Sequence, residues 1–123
     1  MIFGIGNDII EISRIGRACE RTGFLGRVFS ENELSCYQKS GLRIESLAGN
    51  FAAKEAFSKA LGIGVRAFRL IEVEILRDEL GRPYINLSGK AADIVMKLGV
   101  QSLHVSISHC KDYATAIVVA EKE

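Results

Sequence analysis

Asn50-Phe51-Ala52-Ala53-Lys54-Glu55-Ala56-Phe57-Ser58-Lys59-Ala60-Leu61-Gly62 places charged side chains on a segment otherwise built from Ala, Phe and Leu. The pattern predicts a helix from about Ile44 to Leu61, with Gly62 and Gly64 as terminators. Glu55 and Lys59 are four residues apart and stack on one face, while Ala48, Phe51, Ala52, Ala56 and Ala60 offer apolar surface to a core. A carboxylate and an ammonium presented together on a rigid support suit a hard cation and a phosphate. An ordinary helix ion pair, contributing about 0.2–0.5 kcal/mol, has the same spacing, so the segment alone leaves both readings open.

Working outward, Ile2 to Asn7 reads as a strand closely approached at Gly4 and Gly6, with Asp8 at its end. Ser13 is expected to cap a helix carrying Gly16, Arg17 and Arg21 and stopping at Gly23. Ser30 and Glu33 form a capping box that opens a second helix through Leu34 and Tyr37, closed at Gly41. Beyond the long helix, Leu70 to Leu76 reads as a half-buried strand, Asp78 to Gly81 as a turn and Pro83 to Leu87 as the returning strand. Ser88 is expected to cap a helix bearing Ala91, Ala92, Ile94, Val95 and Leu98 that ends at Gly99. His104 to His109 alternates, with Val105 and Ile107 on one face and His104, Ser106 and Ser108 on the other, and Tyr113 to Ala120 completes a second hairpin. Hairpins with helices between the first strand and the rest indicate an α+β fold, an antiparallel sheet with helices packed on it.

The 123 residues fit one domain, 1–123, that buries roughly two-thirds of its unfolded surface. Hydrophobic content of 48% with 25% charged residues and a single Pro argues against linkers or disorder. A formal net charge of +1 excludes a broadly basic nucleic-acid binder, although Arg14, Arg17, Arg21 and Arg27 concentrate positive charge near the start. Cys19, Cys36 and Cys110 form no Cys-x-x-Cys pair and cannot all pair within the chain, which suits thiols in a reducing cytosol. Asp8 and Glu11 interrupt the apolar start and no basic region precedes it, so neither a signal peptide nor a membrane span is expected, and the location read from this is cytoplasmic.

Gly4-Ile5-Gly6 lacks the third glycine of a dinucleotide loop and has no βαβ context, and no phosphate-loop Lys-Ser/Thr occurs. His104 and His109 are five apart in a strand and point to opposite faces, which excludes joint chelation of zinc. Ser106, His109 and Asp112 lack the nucleophile elbow that a hydrolase triad needs. Asp8, if it meets Glu55, makes a pair of carboxylates that repel unless a cation intervenes; oxygen-only ligation selects magnesium or calcium. A structural salt bridge or helix cap is the other reading of Asp8.

Four pieces in order carry a resemblance across nearly the whole chain: Gly4-Ile5-Gly6-Asn7-Asp8-Ile9-Ile10-Glu11-Ile12 with Arg14-Ile15; Phe51-Ala52-Ala53-Lys54-Glu55-Ala56 with Lys59-Ala60-Leu61-Gly62; Gly81-Arg82-Pro83; and Val105-Ser106-Ile107-Ser108-His109. Together they resemble the holo-acyl-carrier-protein synthases, the short type of 4′-phosphopantetheinyl transferase. The resemblance implies transfer of the phosphopantetheine arm of coenzyme A to a serine of apo acyl carrier protein in fatty acid biosynthesis. Adenosine 3′,5′-bisphosphate is then released, Mg2+ is required, and a homotrimer holds coenzyme A in clefts between neighbours. It implies metal ligation by Asp8 and Glu55, and a catalytic role for these two and for Lys59, which faces the coenzyme A phosphates. Further cleft residues implied by the match are Asn50, Ser58, Gly62, Arg82, Pro83, Ser106, Ser108 and His109.

At position 50 the family often carries a basic residue where this chain has Asn50, so one phosphate contact is lost or supplied elsewhere. Arg14, Arg17 and Arg21, at spacings of three and four, form a stripe suited to an acidic carrier protein. Two other classes use the same residues: a magnesium-dependent nucleotide phosphohydrolase, and a non-catalytic trimeric carrier-binding module. No nucleic-acid or membrane partner is expected.

Overall fold

β1 (Ile2–Glu11) lies directly on the backbone of α4 (Ile44–Leu61), and two glycines make that approach feasible. A Cβ on Gly6 would collide with the carbonyl oxygen of Ala56, and one on Gly4 with that of Ala60. The helix side of the contact is equally small, since Ala52, Ala56 and Ala60 are all buried. Strand and helix backbones thus approach more closely than larger side chains allow. The computed structural model describes residues 1–40 and 43–123, and the helix stop expected at Gly41 lies outside them.

Around this contact the chain builds an antiparallel three-stranded sheet, order β1-β5-β4, with β4 spanning Ser102–His109 and β5 spanning Tyr113–Glu121. A separate hairpin pairs β2 (Val73–Arg77) with β3 (Pro83–Leu87). Asp78 organises its turn by accepting the backbone N–H groups of Leu80 and Arg82, both at 2.9 Å. α4 runs between the sheet on one side and α3 (Glu31–Ser40) with β2 on the other, and is buried along most of its length. A core of Ala52, Ala53, Ala56, Phe57, Leu61, Val73, Ile75, Ala116 and Val118 fills the sheet side and its surroundings. The α+β architecture with an antiparallel sheet is the one expected. Among the described residues no helix is long and apolar enough to cross a membrane.

The local boundaries hold corrections. Asp8 is not at a strand end: β1 continues through Ile9 and Ile10, and Asp8 pairs with Ala116 of β5. α1 (Ile12–Cys19) starts before Ser13, because Ile12 and Ile15 are its buried face and the Ile12 N–H is held by the Asp112 carbonyl at 2.9 Å. Arg21 therefore lies beyond α1. Gly23, at φ 85°, opens an unanticipated short helix, α2 (Phe24–Val28). Leu70–Glu72 is a single 3₁₀ turn, so strand pairing begins at Val73. The Ser30–Glu33 capping box is present in both directions, at 3.0 and 3.2 Å.

Ser88 occupies the cap position of α5 (Gly89–Leu98) but makes no side-chain cap bond. Glu72 caps α5 from outside instead, accepting the Ala91 N–H at 3.3 Å while also closing its own turn on the Arg69 N–H at 3.1 Å. Burial opposes ionisation there, yet the backbone N–H groups of Arg69, Lys90 and Ala91 outweigh it and hold the Glu72 carboxyl below the ordinary 4.5. A carboxyl lowered in the folded state stabilises the fold above 4.5 and loses that contribution as pH falls through the folded value. Glu72→Gln should therefore lower the urea midpoint at pH 7, with the gap to the parent closing towards pH 3. A gap independent of pH would show that the charge is not what caps α5.

Candidate active site

Alternation along β1 sends Gly4, Gly6 and Asp8 towards α4 and Ile5, Asn7 and Ile9 to the opposite face of the sheet. Because the two glycines bring β1 against α4, the next inward residue, Asp8, arrives beside the helix turn that carries Glu55 and Lys59. Lys59 Nζ donates to Asp8 Oδ1 at 3.1 Å and to the Asn7 carbonyl at 2.9 Å. The expected pairing of Lys59 with Glu55 along the helix gives way to this cross-element bridge. Among the described residues Glu55 makes no ion pair. Burial first, and then the neighbouring Asp8 charge, push its carboxyl above 4.5, with Lys59 opposing. A half-buried carboxylate facing a second carboxylate is a place where a cation lowers the energy.

Asp8, Glu55 and Lys59 are the expected residues that the fold draws into one cluster. Beside it runs a groove lined by Ile10, Arg14, Ile15, Arg17, Arg21, Phe24 and Phe51. Ile10 shares the inward face of β1 with Asp8, and Phe51 sits one helical turn before Glu55, so this groove adjoins the acid pair. Arg21, although outside α1, still reaches it with Arg14 and Arg17. The groove joins cationic rims to an apolar floor.

The remaining expected residues lie elsewhere on the chain. Ser106 and Ser108 point from β4 to the outer face of the sheet, in cross-strand rows with Ile117 and Asn7 and with Thr115 and Ile9. Arg82 and Pro83 line a separate groove with Asp78, Tyr84 and His104. His109 borders another with Arg43, Ser46, Cys110 and Lys111. Gly62 ends α4 in the left-handed region and is exposed. Ser58 is buried, its hydroxyl donating back to the Glu55 carbonyl at 2.8 Å.

Asn50 is the clearest correction. It is fully buried, and its amide donates to the Ile75 carbonyl at 2.8 Å and to Glu33 Oε2 at 3.2 Å, while its oxygen accepts from Arg77 at 2.9 Å. Its polar atoms are engaged within the protein, so it bridges α4 to β2 and α3 and does not face a cleft.

Sequence reading missed the partners of Asn50. Lys54 and Glu33, both wholly buried, form an ion pair at 2.7 Å between α4 and α3. Lys54 Nζ also donates to the Leu70 carbonyl at 2.8 Å and the Val73 carbonyl at 2.7 Å, leaving no ammonium hydrogen unused. Burial pulls its pKa down and pushes that of Glu33 up, while each partner's charge opposes the change in the other. The available signal was Lys54 on the same helical stripe as Leu47 and Leu61, a charge where the pattern calls for core.

Residues 4–118 match the sequence profile of the 4′-phosphopantetheinyl transferase superfamily. The chain is 49% identical over 120 residues to the holo-[acyl-carrier-protein] synthase of Fusobacterium nucleatum, covering 97% of this chain and 98% of that protein. It is 51% identical over 122 residues to that of Clostridium beijerinckii, covering 98% of each. The crystal structure of the Neisseria meningitidis holo-[acyl-carrier-protein] synthase superposes with a TM-score of 0.91 at 38% identity, over 99% of this chain and 100% of that one. The Helicobacter pylori enzyme in complex with coenzyme A gives 0.84 at 35% identity, over 95% and 99%. This full-length similarity has one reading: the chain belongs to the holo-[acyl-carrier-protein] synthases, enzymes of the 4′-phosphopantetheinyl transferase superfamily.

Proposed function

We propose that this enzyme transfers the 4′-phosphopantetheine group of coenzyme A to a serine of apo acyl carrier protein, in fatty acid biosynthesis. The serine oxygen bonds to the phosphorus bearing the pantetheine arm, the bond from that phosphorus to the bridging oxygen breaks, and adenosine 3′,5′-bisphosphate departs. The observation carrying this reading is the Asp8–Glu55–Lys59 cluster: two carboxylates with one ammonium between strand and helix. Asp8 and Glu55 fit magnesium, which is commonly held by one or two carboxylates, with waters and substrate phosphates completing its shell. Among the described residues no group of three or more Asp, Glu, His or Cys side chains is placed to hold a metal, so the remaining ligands of a magnesium ion would have to come from water and substrate. Magnesium, when bound, supplies charge neutralisation at the diphosphate. Lys59, tethered to Asp8 and the Asn7 carbonyl, holds a second positive charge at the same place, and transfer of this kind proceeds chiefly by positioning and charge neutralisation.

The arginine groove is the docking surface for the carrier protein: Arg14, Arg17 and Arg21 pair with its carboxylates, and Phe24 and Phe51 take an apolar side chain. Assembly into a homotrimer is supported by the outer face of the sheet, where Ile5, Ile9 and Ile117, from neighbouring rows of one face, are 57%, 66% and 41% exposed. Ser106 and Ser108 lie on that same face, so a neighbouring copy is what brings them towards a shared cleft. Action in the cytoplasm accords with Cys19 and Cys110 being thiols.

Incubation with apo acyl carrier protein, coenzyme A and magnesium, followed by weighing the carrier by mass spectrometry, tests the reading. A gain of one phosphopantetheine, dependent on magnesium, is expected. An unchanged carrier with phosphate released would indicate a phosphohydrolase; carrier bound without mass change would indicate a binding module.

A further inference from the structure

We propose that Thr115 is a positioning residue for Asp8, its hydroxyl holding the backbone from which that carboxylate is presented to the cation; the inference rests on the transferase reading above. Asp8 and Glu55 stand on different elements, so their separation depends on how β1 is set against α4. Gly4 and Gly6 fix that setting by their close approach to Ala60 and Ala56, and Asp8 lies two residues beyond the second of these contacts. β1 is also an edge strand, with β5 as its one partner among the described residues. The charge on Asp8 repels that on Glu55, which acts to spread the two apart. Metal ligands must keep their distances to within about 0.2 Å, so the Asp8 backbone has to be held where it is.

Two side chains hold it, one on each peptide flanking the Asp8 Cα. Lys59 Nζ donates to the Asn7 carbonyl at 2.9 Å and fixes the peptide before Asp8. Thr115 Oγ1 donates to the Asp8 carbonyl at 2.8 Å and fixes the peptide after it. With both planes held, the two soft dihedrals of Asp8 are set, and with them the direction of its Cα–Cβ bond. The hydroxyl has a single hydrogen, and 2.8 Å is the usual length of an O–H···O bond. The 3.5 Å approach to Asn7 Oδ1 is therefore no competitor for that hydrogen.

Between Ala114 and Ala120, Thr115 is the one side chain that carries a donor, in a stretch otherwise made of Ala, Ile and Val. The strand register sets it opposite Ile9, on the outer face of the sheet, while the Asp8 carboxylate is on the inner face. Thr115 thus acts through the backbone of Asp8 and not by ligation. Valine has the same branched shape and suits a strand equally, so Thr115→Val removes the hydroxyl and leaves the strand intact.

The test is Mn2+ binding to the full chain with coenzyme A present, followed by the electron paramagnetic resonance of the free ion, for the parent, Thr115→Val and Thr115→Ser. Carrier modification over a magnesium titration and the assembly state by light scattering are measured alongside. Thr115→Val should weaken Mn2+ binding about tenfold, the loss expected when a group that orients a metal ligand is removed. It should raise the magnesium concentration for half-maximal transfer by the same factor, with the rate at saturating magnesium within about twofold of the parent. Thr115→Ser, which keeps the hydroxyl, should stay within about twofold of the parent in both measurements. Equal affinity in the parent and the valine variant, a serine variant as weak as the valine one, or a loss that accompanies a changed assembly state overturns the proposal. Should Thr115→Val not fold, Thr115→Ser against Thr115→Ala makes the same comparison, and equal affinities there overturn it. A parent that modifies no carrier ends the transferase reading; the Mn2+ affinities then judge Thr115 alone, and a parent that binds no Mn2+ overturns the proposal as well.

Discussion

Glu55→Gln is expected to reduce magnesium-dependent carrier modification by about a thousandfold or more, since holding the cation against the reacting diphosphate is worth several kcal/mol of transition-state stabilisation. The same substitution should leave the fold intact. Glu55 makes no ion pair among the described residues and its ionised form is disfavoured by burial and by Asp8, so removing the charge relieves repulsion in the cation-free protein. The expected signature is therefore a thermal midpoint equal to or above that of the parent without magnesium, together with loss of the stabilisation that magnesium and coenzyme A confer on the parent. Transfer rates by mass spectrometry and melting curves with and without the cation provide both readouts. Full activity in Glu55→Gln would remove this residue from the metal assignment, and a collapsed fold would mean that Glu55 is chiefly structural.

Lys54→Met has the opposite character, a large loss of stability from a residue that touches no expected substrate. Removing the ammonium leaves Glu33 wholly buried without its counter-charge and frees the Leu70 and Val73 carbonyls of their donor. Breaking one side of a buried ion pair in this way costs about 3–5 kcal/mol. A shift of that size in urea unfolding at pH 7 is expected. Adding Glu33→Gln to Lys54→Met should recover a substantial part of the loss, because the stranded charge is then gone while the side-chain amide oxygen can still accept from the Asn50 amide and the Ile75 N–H. If the single variant unfolds at the parental midpoint, the pair contributes nothing and the α3–α4–β2 junction is held by its apolar contacts and the Asn50 hydrogen bonds.

The two variants separate the two sides of α4. On one flank stand Glu55 and Lys59, the residues proposed to serve chemistry; on the other Asn50 and Lys54 tie the helix to α3 and β2. Neighbouring letters in one motif, Lys54 and Glu55, thus act on different problems, because a step of one residue turns about 100° around the helix.

Local patterns made much of this molecule legible from the chain alone. The helical period of 44–61, the capping box at Ser30 and Glu33, the Asp78 turn and the strict alternation of 104–109 are short-range signals, and each appears as an element in the structure. Glu55 and Lys59 were candidates for the same reason, being charges on an otherwise apolar helix. Tertiary structure decided the partners: that Lys59 bridges to Asp8, that Asp8 lies within a strand, that Glu72 and not Ser88 caps α5, and that Asn50 is interior. The physical reason is that periodicity reports which way a side chain points from its own element, whereas a charge pair or a cap depends on a second element brought near by packing. The glycines at 4 and 6 mark where the two levels meet: they are visible in the chain, but only the helix lying against them shows how close the approach is.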